Sequence, residues 1–374
     1  MKPAAALGRA APTPPVDPRI EALTAWLPPH GRKSKVRLDL NENRFIDPSR
    51  LRALLDGLDP EVLTMYPEYD RLYGALAAYT GRSQGELLVA NGADQGIELV
   101  LRAFCAKRKV VLPVPTFSYY QHVAGLCGIE LLKVGHDASF GLSGDAVIEA
   151  LEAGADGVVL VNPSNPLATV LDDASVVRIV SRAAELGAFV LIDEVYFEFC
   201  ARTYAGLIDR YPNLMVLRSF SKGFGLAGIR LGYVIAAAPA IEQMRKLRGP
   251  WDVNGLAVGL ATAALEDPHW FDFLPVFRAE RRALERCLSA ADLRWLPSAA
   301  NFVVARATHA QRVVESLASH GVLVTDLSRY PDARGILENC IRIAVPNPQE
   351  RGLVHAALRA SSALSSNVSP IGRG

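Results

Sequence analysis

Short apolar runs rich in β-branched residues recur along the chain, separated by segments whose apolar positions follow a helical period. Runs at 87–90, 110–114, 129–134, 157–161, 189–192, 214–217 and 231–235 predict strands, and 94–106, 175–186 and 241–247 predict helices among them. That alternation predicts an α/β architecture with a doubly wound layer. After a helical stretch starting near Val253 the pattern changes. From about Asp267, longer helical segments are separated by short strand-like runs at 301–306, 321–325 and 340–344, as in a smaller α+β domain. The expected division is an N-terminal arm over 1–37, a large domain over 38–266, a small C-terminal domain over 267–362 and a flexible tail over 363–374.

Composition narrows the field. A chain of 374 residues is long enough for two domains sharing an interface. With 50% hydrophobic and 21% charged residues it can bury a large core. A net charge of +1 argues against nucleic acid or a membrane surface as partner. The five cysteines are scattered, with no CxxC or Cys/His cluster, so neither a disulfide framework nor a metal site is indicated. The Ala- and Pro-rich start lacks the apolar stretch of a signal peptide, and no apolar run reaches the ~20 residues needed to span a bilayer. A cytoplasmic protein is expected.

Open α/β sheets bind ligands at the carboxyl ends of their strands. Four polar clusters fall at such ends: Asn91-Gly92-Ala93-Asp94, Asn162-Pro163-Ser164-Asn165, Asp193-Glu194-Val195-Tyr196 and Ser219-Phe220-Ser221-Lys222. Lys222 lies between small residues at the exit of a buried strand, where a solvated charge is a poor explanation. An amine there can form a Schiff base with a carbonyl cofactor, and Arg230 can neutralise an anion. Asp193 ends an apolar run, so it needs a cation or several donors; taken alone it reads equally as the cap of a following helix. The junction at Asn91 offers free N–H groups and a helix dipole to an anion, and Asp94 reads as a plain N-cap. By themselves, Phe117 reads as core packing and Tyr66-Pro67 as a turn. Gly223-Phe224-Gly225-Leu226-Ala227-Gly228 matches a dinucleotide fingerprint in letters only. That motif needs a helix through its third glycine and an acid ~20 residues later; here a strand starts at Leu231 and no such acid follows.

Taken together, the motifs over about 38–356 resemble the pyridoxal-phosphate (PLP) enzymes of the aspartate aminotransferase fold, and within them the histidinol-phosphate aminotransferase branch. The resemblance implies a type I PLP-dependent transferase fold, with a large mixed-sheet α/β domain and a smaller α+β C-terminal domain. It implies pyridoxal 5'-phosphate attached to Lys222, which also moves the proton. Asp193 would hold the pyridine nitrogen, and Tyr196 and Asn165 the phenolic oxygen. The amides of Ala93, Asp94 and Gln95, together with Ser219, Ser221 and Arg230, would form the phosphate cup, and Phe117 would stack on the ring. Tyr66 would reach a neighbouring subunit's phosphate, making a homodimer with shared sites. Arg342 would clamp a substrate carboxylate, or the phosphate that replaces it. Asn43, in the motif Asn41-Glu42-Asn43, would lie near the substrate entrance, and Tyr119, Arg44, Arg329 and Trp251 are candidates for recognising the substrate side chain by placement alone. The implied partners are an amino donor and a 2-oxo acid acceptor. The sequence departs from the branch at Thr325, where an arginine is usual, and at Arg44, Ser164, Leu167 and Ala168. Decarboxylation of the threonine-phosphate decarboxylase type, loosely matched by Pro250-Trp251 and Val253-Asn254, is the alternative, beside oxidative or eliminating PLP chemistry.

Overall fold

A computed structural model describes residues 14–365 except 26, 106, 107 and 334. Its strands, in chain order, are β1 (Val36–Arg37), β2 (Leu87–Ala90), β3 (Lys109–Val114), β4 (Glu130–Gly135), β5 (Gly157–Val161), β6 (Phe189–Asp193), β7 (Leu214–Ser219), β8 (Gly232–Ala236), β9 (Arg294–Trp295), β10 (Phe302–Arg306), β11 (Val322–Leu323), β12 (Thr325–Asp326) and β13 (Cys340–Ala344). Seven of them form one sheet in the order β2-β8-β7-β6-β5-β3-β4. β7, β6, β5, β3 and β4 run parallel, while β8 is antiparallel to both of its neighbours.

The central strands are apolar at nearly every position because helices cover both faces. Side chains alternate between those faces. Val158, Leu160, Val190 and Ile192 join one core with helices Asp70–Thr80, Gly144–Glu152, Asp173–Glu185 and Gly255–Glu266. Val159, Leu191 and Leu217 join the other with helices Gly92–Phe104, Tyr119–Cys127 and Ala238–Arg245. The winding reverses at β3, which has β4 on one side and β5 on the other, so a crevice opens beyond the carboxyl ends of β3 and β5.

The smaller unit is a four-stranded antiparallel sheet, β12-β13-β10-β9, packed with helices Leu274–Ala290, Ala310–Ser319 and Pro348–Ser365 around a third core. The strand expected over 321–325 is split at Val324: β11 pairs in parallel with β1, and β12 pairs with β13. The chain near residue 36 thus crosses to the smaller unit. Leu38 is fully buried in its core, and the Leu38 carbonyl accepts from the Ala344 amide at 3.0 Å. A second boundary also moves. Helix Gly92–Phe104 starts two residues before the expected 94, with Asn91 as its N-cap, so Asp94 lies inside the first turn and does not cap it.

Candidate active site

Beyond the ends of β5, β6 and β7 lies a cavity of about 660 Å³. Ala93, Asp94, Phe117, Tyr119, Asn165, Asp193, Tyr196, Ser219, Ser221, Lys222 and Arg230 line it, so clusters far apart in sequence meet there. The sheet explains why. Successive parallel strands finish in register, Val161 opposite Asp193 and Asp193 opposite Leu217, so the first polar residue after each apolar run emerges at one edge.

Lys222 is half-buried, and its Nζ donates to the Leu40 carbonyl at 2.9 Å. Burial, with Arg342 adding to it, lowers its pKa to about 8. Asp193 is 3% exposed and accepts from the Tyr120 hydroxyl at 2.8 Å and the Val195 amide at 3.2 Å. Among the described residues no cation pairs with it, and burial raises its pKa to about 6. The buried Tyr196 hydroxyl accepts from Asn41 Nδ2 at 3.0 Å. Burial pushes that phenol up.

The opposite end is built for an anion. Arg230 donates to Ser221 Oγ at 3.2 Å and pairs with Asp94 at 3.1 Å. A Cβ on Gly92, whose φ is +79°, would meet Arg230 Nη2 at 2.7 Å, and one on Gly232 would meet the Ala93 nitrogen at 2.6 Å. Glycine at both positions lets strand, helix start and guanidinium crowd together. Because the helix begins at Gly92, the amides without a partner within the helix are those up to Asp94. The Gln95 amide falls in the ladder, while its side chain accepts from the Asn91 amide at 2.6 Å and donates to Asp252 at 2.8 Å.

Arg342 comes from the smaller unit and bonds the lining residue Asn165 without lining the cavity itself. It is 7% exposed, with Nη1 donating to Asn165 Oδ1 at 2.7 Å and Nη2 to the Asp39 carbonyl at 2.9 Å, while its buried Nε has no partner. Other candidates lie elsewhere. Asn43 sits beneath the lysine loop, donating to the Gly223 carbonyl at 2.8 Å. Arg44 pairs with Glu350, and Arg329 lines a separate groove with Asp326 and Glu338. Tyr66 is exposed and stacks on Trp251, outside the cavity of its own chain.

Sequence reasoning missed several supports. Tyr120, which holds Asp193, stands next to the named Tyr119; its position on the buried face of helix Tyr119–Cys127 was the available signal. Asn41 precedes the named Asn43. Tyr330 carries its phenol against Arg342 and the Ser118 backbone, and nothing local in the sequence marks it. Leu27, Pro28, Pro29, Leu40, Glu42, Ile97, Val161, Val195 and Ala227 complete the lining.

The chain matches the family described as aminotransferase class I and II over residues 33–359. The chain belongs to that family. Among aminotransferases, a histidinol-phosphate aminotransferase of Pseudoalteromonas atlantica is 32% identical over 333 residues, covering 86% of this chain and 85% of that protein. One of Chlorobaculum tepidum is 34% identical, covering 88% and 95% respectively. The crystal structure of histidinol-phosphate aminotransferase from Sinorhizobium meliloti in complex with pyridoxal-5'-phosphate superposes with a TM-score of 0.83 at 26% identity, covering 93% of this chain and 98% of that one. The architecture is the type I fold of PLP-dependent transferases, and the chain is a PLP-dependent aminotransferase. The residues present fit that cofactor: a buried carboxylate bonded only to neutral donors suits a protonated ring nitrogen, and the Arg230 corner suits a phosphate.

Proposed function

We propose that Lys222 holds pyridoxal phosphate in this cavity and moves the proton that accompanies transfer of an amino group from an amino acid to a 2-oxo acid. The observation that carries this reading is the pairing of Lys222 with the uncompensated Asp193 in one cavity. The bound cofactor supplies a carbonyl that condenses with amines and a ring that takes up electron density from the substrate Cα.

Asp193 holds the ring nitrogen in its protonated form, since a buried carboxylate gains most from a cation beside it. Tyr196 and Asn165 bond the phenolic oxygen; Asn165 Oδ1 is committed to Arg342, which leaves Nδ2 as the donor. Ser219, Ser221, Arg230 and the amides of Ala93 and Asp94 take the phosphate. Phe117, which lines the cavity, would pack against the ring. Lys222, whose neutral amine is favoured by burial, would take the proton from the substrate Cα. Arg342 holds the substrate carboxylate and thereby guards it from loss. Leu63, Met65, Tyr66 and Trp251 are exposed apolar side chains on one stretch of surface, which supports a homodimer in which Tyr66 serves the partner's site.

The test supplies the cofactor-loaded enzyme with single amino acids and no acceptor. One equivalent of 2-oxo acid per subunit, after which release stops, is expected. Continuous release of carbon dioxide, or oxygen consumption, overturns the reading.

A further inference from the structure

We propose that the amino donor is an α-amino acid with an apolar side chain, its carboxylate on Arg342, and not a phosphate-bearing amine. This inference rests on the placement of Lys222 and Arg342 in the proposed site. The charges around the cavity carry it. Among the described residues, Lys222 and Arg230 are the cations of the lining. The first reacts, and the second lies between Ser221 and Asp94 at the cofactor-phosphate end.

Apart from the neutral polar Tyr119, Asn165, Tyr196, Ser219 and Ser221, the rest of the wall is acidic or apolar. Glu42 lines it, and the nearby Arg32 is held between Asp39 at 2.7 Å and Glu42 at 2.8 Å, so its charge is already more than matched. Leu27, Pro28, Leu40 and Ile97 supply aliphatic surface. A phosphate dianion placed against that wall exchanges its water for apolar groups and a carboxylate.

Arg342 is a charged neighbour of the reacting amine. It is a single guanidinium whose two Nη atoms each donate within the protein and whose buried Nε has no partner. Its neighbour Thr325 adds no help, because the Oγ1 proton goes to the Asp39 carbonyl at 2.7 Å. One guanidinium matches a monoanionic carboxylate and falls short of a dianion.

The experiment compares, on the holoenzyme, the rate of the amino-acid half-reaction with L-phenylalanine, L-leucine and histidinol phosphate. Binding of 3-phenylpropionate, which has the carboxylate and the apolar tail but no amine, is followed separately by calorimetry. At least roughly tenfold higher kcat/KM for L-phenylalanine or L-leucine, with measurable 3-phenylpropionate binding, is expected. Thr325→Arg should move the preference toward histidinol phosphate. Parity, or preference for histidinol phosphate in the unmodified enzyme, overturns the substrate class and leaves the aminotransferase reading standing. If no amine yields its oxo product, both fail together.

Discussion

The floor and the rim of the cavity are built by different means. Asp193 and the segment from Ser219 to Lys222 lie at the ends of adjacent strands buried at every position, so the sheet fixes their spacing. The rim comes from residues 27–42, the start of helix Tyr119–Cys127 and the smaller unit. Residues 36–38 pair by backbone with the smaller unit, and side-chain links such as Asn41 to Tyr196 and Arg342 to Asn165 tie the rim to the floor. A rigid floor suits the bond-making chemistry, which tolerates little misplacement. A rim assembled from separate segments can change its side chains without disturbing the sheet, so specificity can vary there.

The sharpest way to break that contrast is to remove a group from each half. Lys222→Ala should lower kcat by roughly 10⁴-fold and leave thermal unfolding nearly unchanged, since the side chain has one hydrogen bond, to Leu40. Tyr119→Phe, on the rim, should change kcat/KM by less than about tenfold. Equal losses from the two would erase the distinction between floor and rim.

The same contrast governs what could be read from the chain. Floor residues follow apolar runs directly in sequence, so a strand end and its polar successor are seen together, as at Phe189-Val190-Leu191-Ile192-Asp193. The meeting of Lys222 and Asp193 at one edge of the sheet was therefore legible once their strands were placed. The rim depends on pairs far apart, Asn41 with Tyr196 and Tyr330 with Arg342, for which the local pattern holds no signal. Arg44 and Arg329 are marked by placement alone; Arg44 pairs with Glu350 and Arg329 lines a separate groove, both away from the cavity. The early helix start at Gly92 was hidden because glycine there serves a positive φ that no periodicity reveals. The split of 321–325 was hidden because its first half pairs with residues 36–37, nearly the whole chain away.

A smaller effect tests whether the floor is as rigid as its strands suggest. Glu198, in helix Phe197–Cys200, is 7% exposed; its Oε1 accepts from the Tyr79 hydroxyl at 3.3 Å and its Oε2 has no partner. Gly223, next to Lys222, lies against that carboxyl, leaving no space for a Cβ. Arg218, Glu194 and Tyr233 are the charged and titratable neighbours, and burial raises the Glu198 pKa from 4.5 to about 7. The folded protein then binds more protons than the unfolded chain between those values, so stability falls as pH rises through that window and levels off above it. The full loss is at most about 3 kcal/mol. Asp193, raised to about 6, adds a slope of the same sign in the apo-protein. Glu198→Gln should flatten the Glu198 part of the curve, measured by urea unfolding of the apo-protein across that pH range. Parallel curves for variant and parent would show that Glu198 stays ionised and that the lysine loop does not rest on a neutral carboxyl.

The smallest expected effect asks whether the rim is complete within one chain. Tyr66 lies outside its own cavity, exposed beside Trp251, with rings 4.5 Å apart. If a second copy covers this surface, the hydroxyl serves the other site, and Tyr66→Phe removes one hydrogen bond from the cofactor phosphate. Cofactor affinity should fall roughly threefold to tenfold. Mixing decides between the arrangements. In a heterodimer of Tyr66→Phe and Lys222→Ala subunits, shared sites give one cavity with both Lys222 and Tyr66 intact, and one with neither. Titration of an equimolar, randomly exchanged mixture should then show parental affinity at half of the lysine-bearing sites. If Tyr66 acts within its own chain, or not at all, every surviving lysine site keeps the affinity of the Tyr66→Phe protein, and the rim belongs to a single subunit.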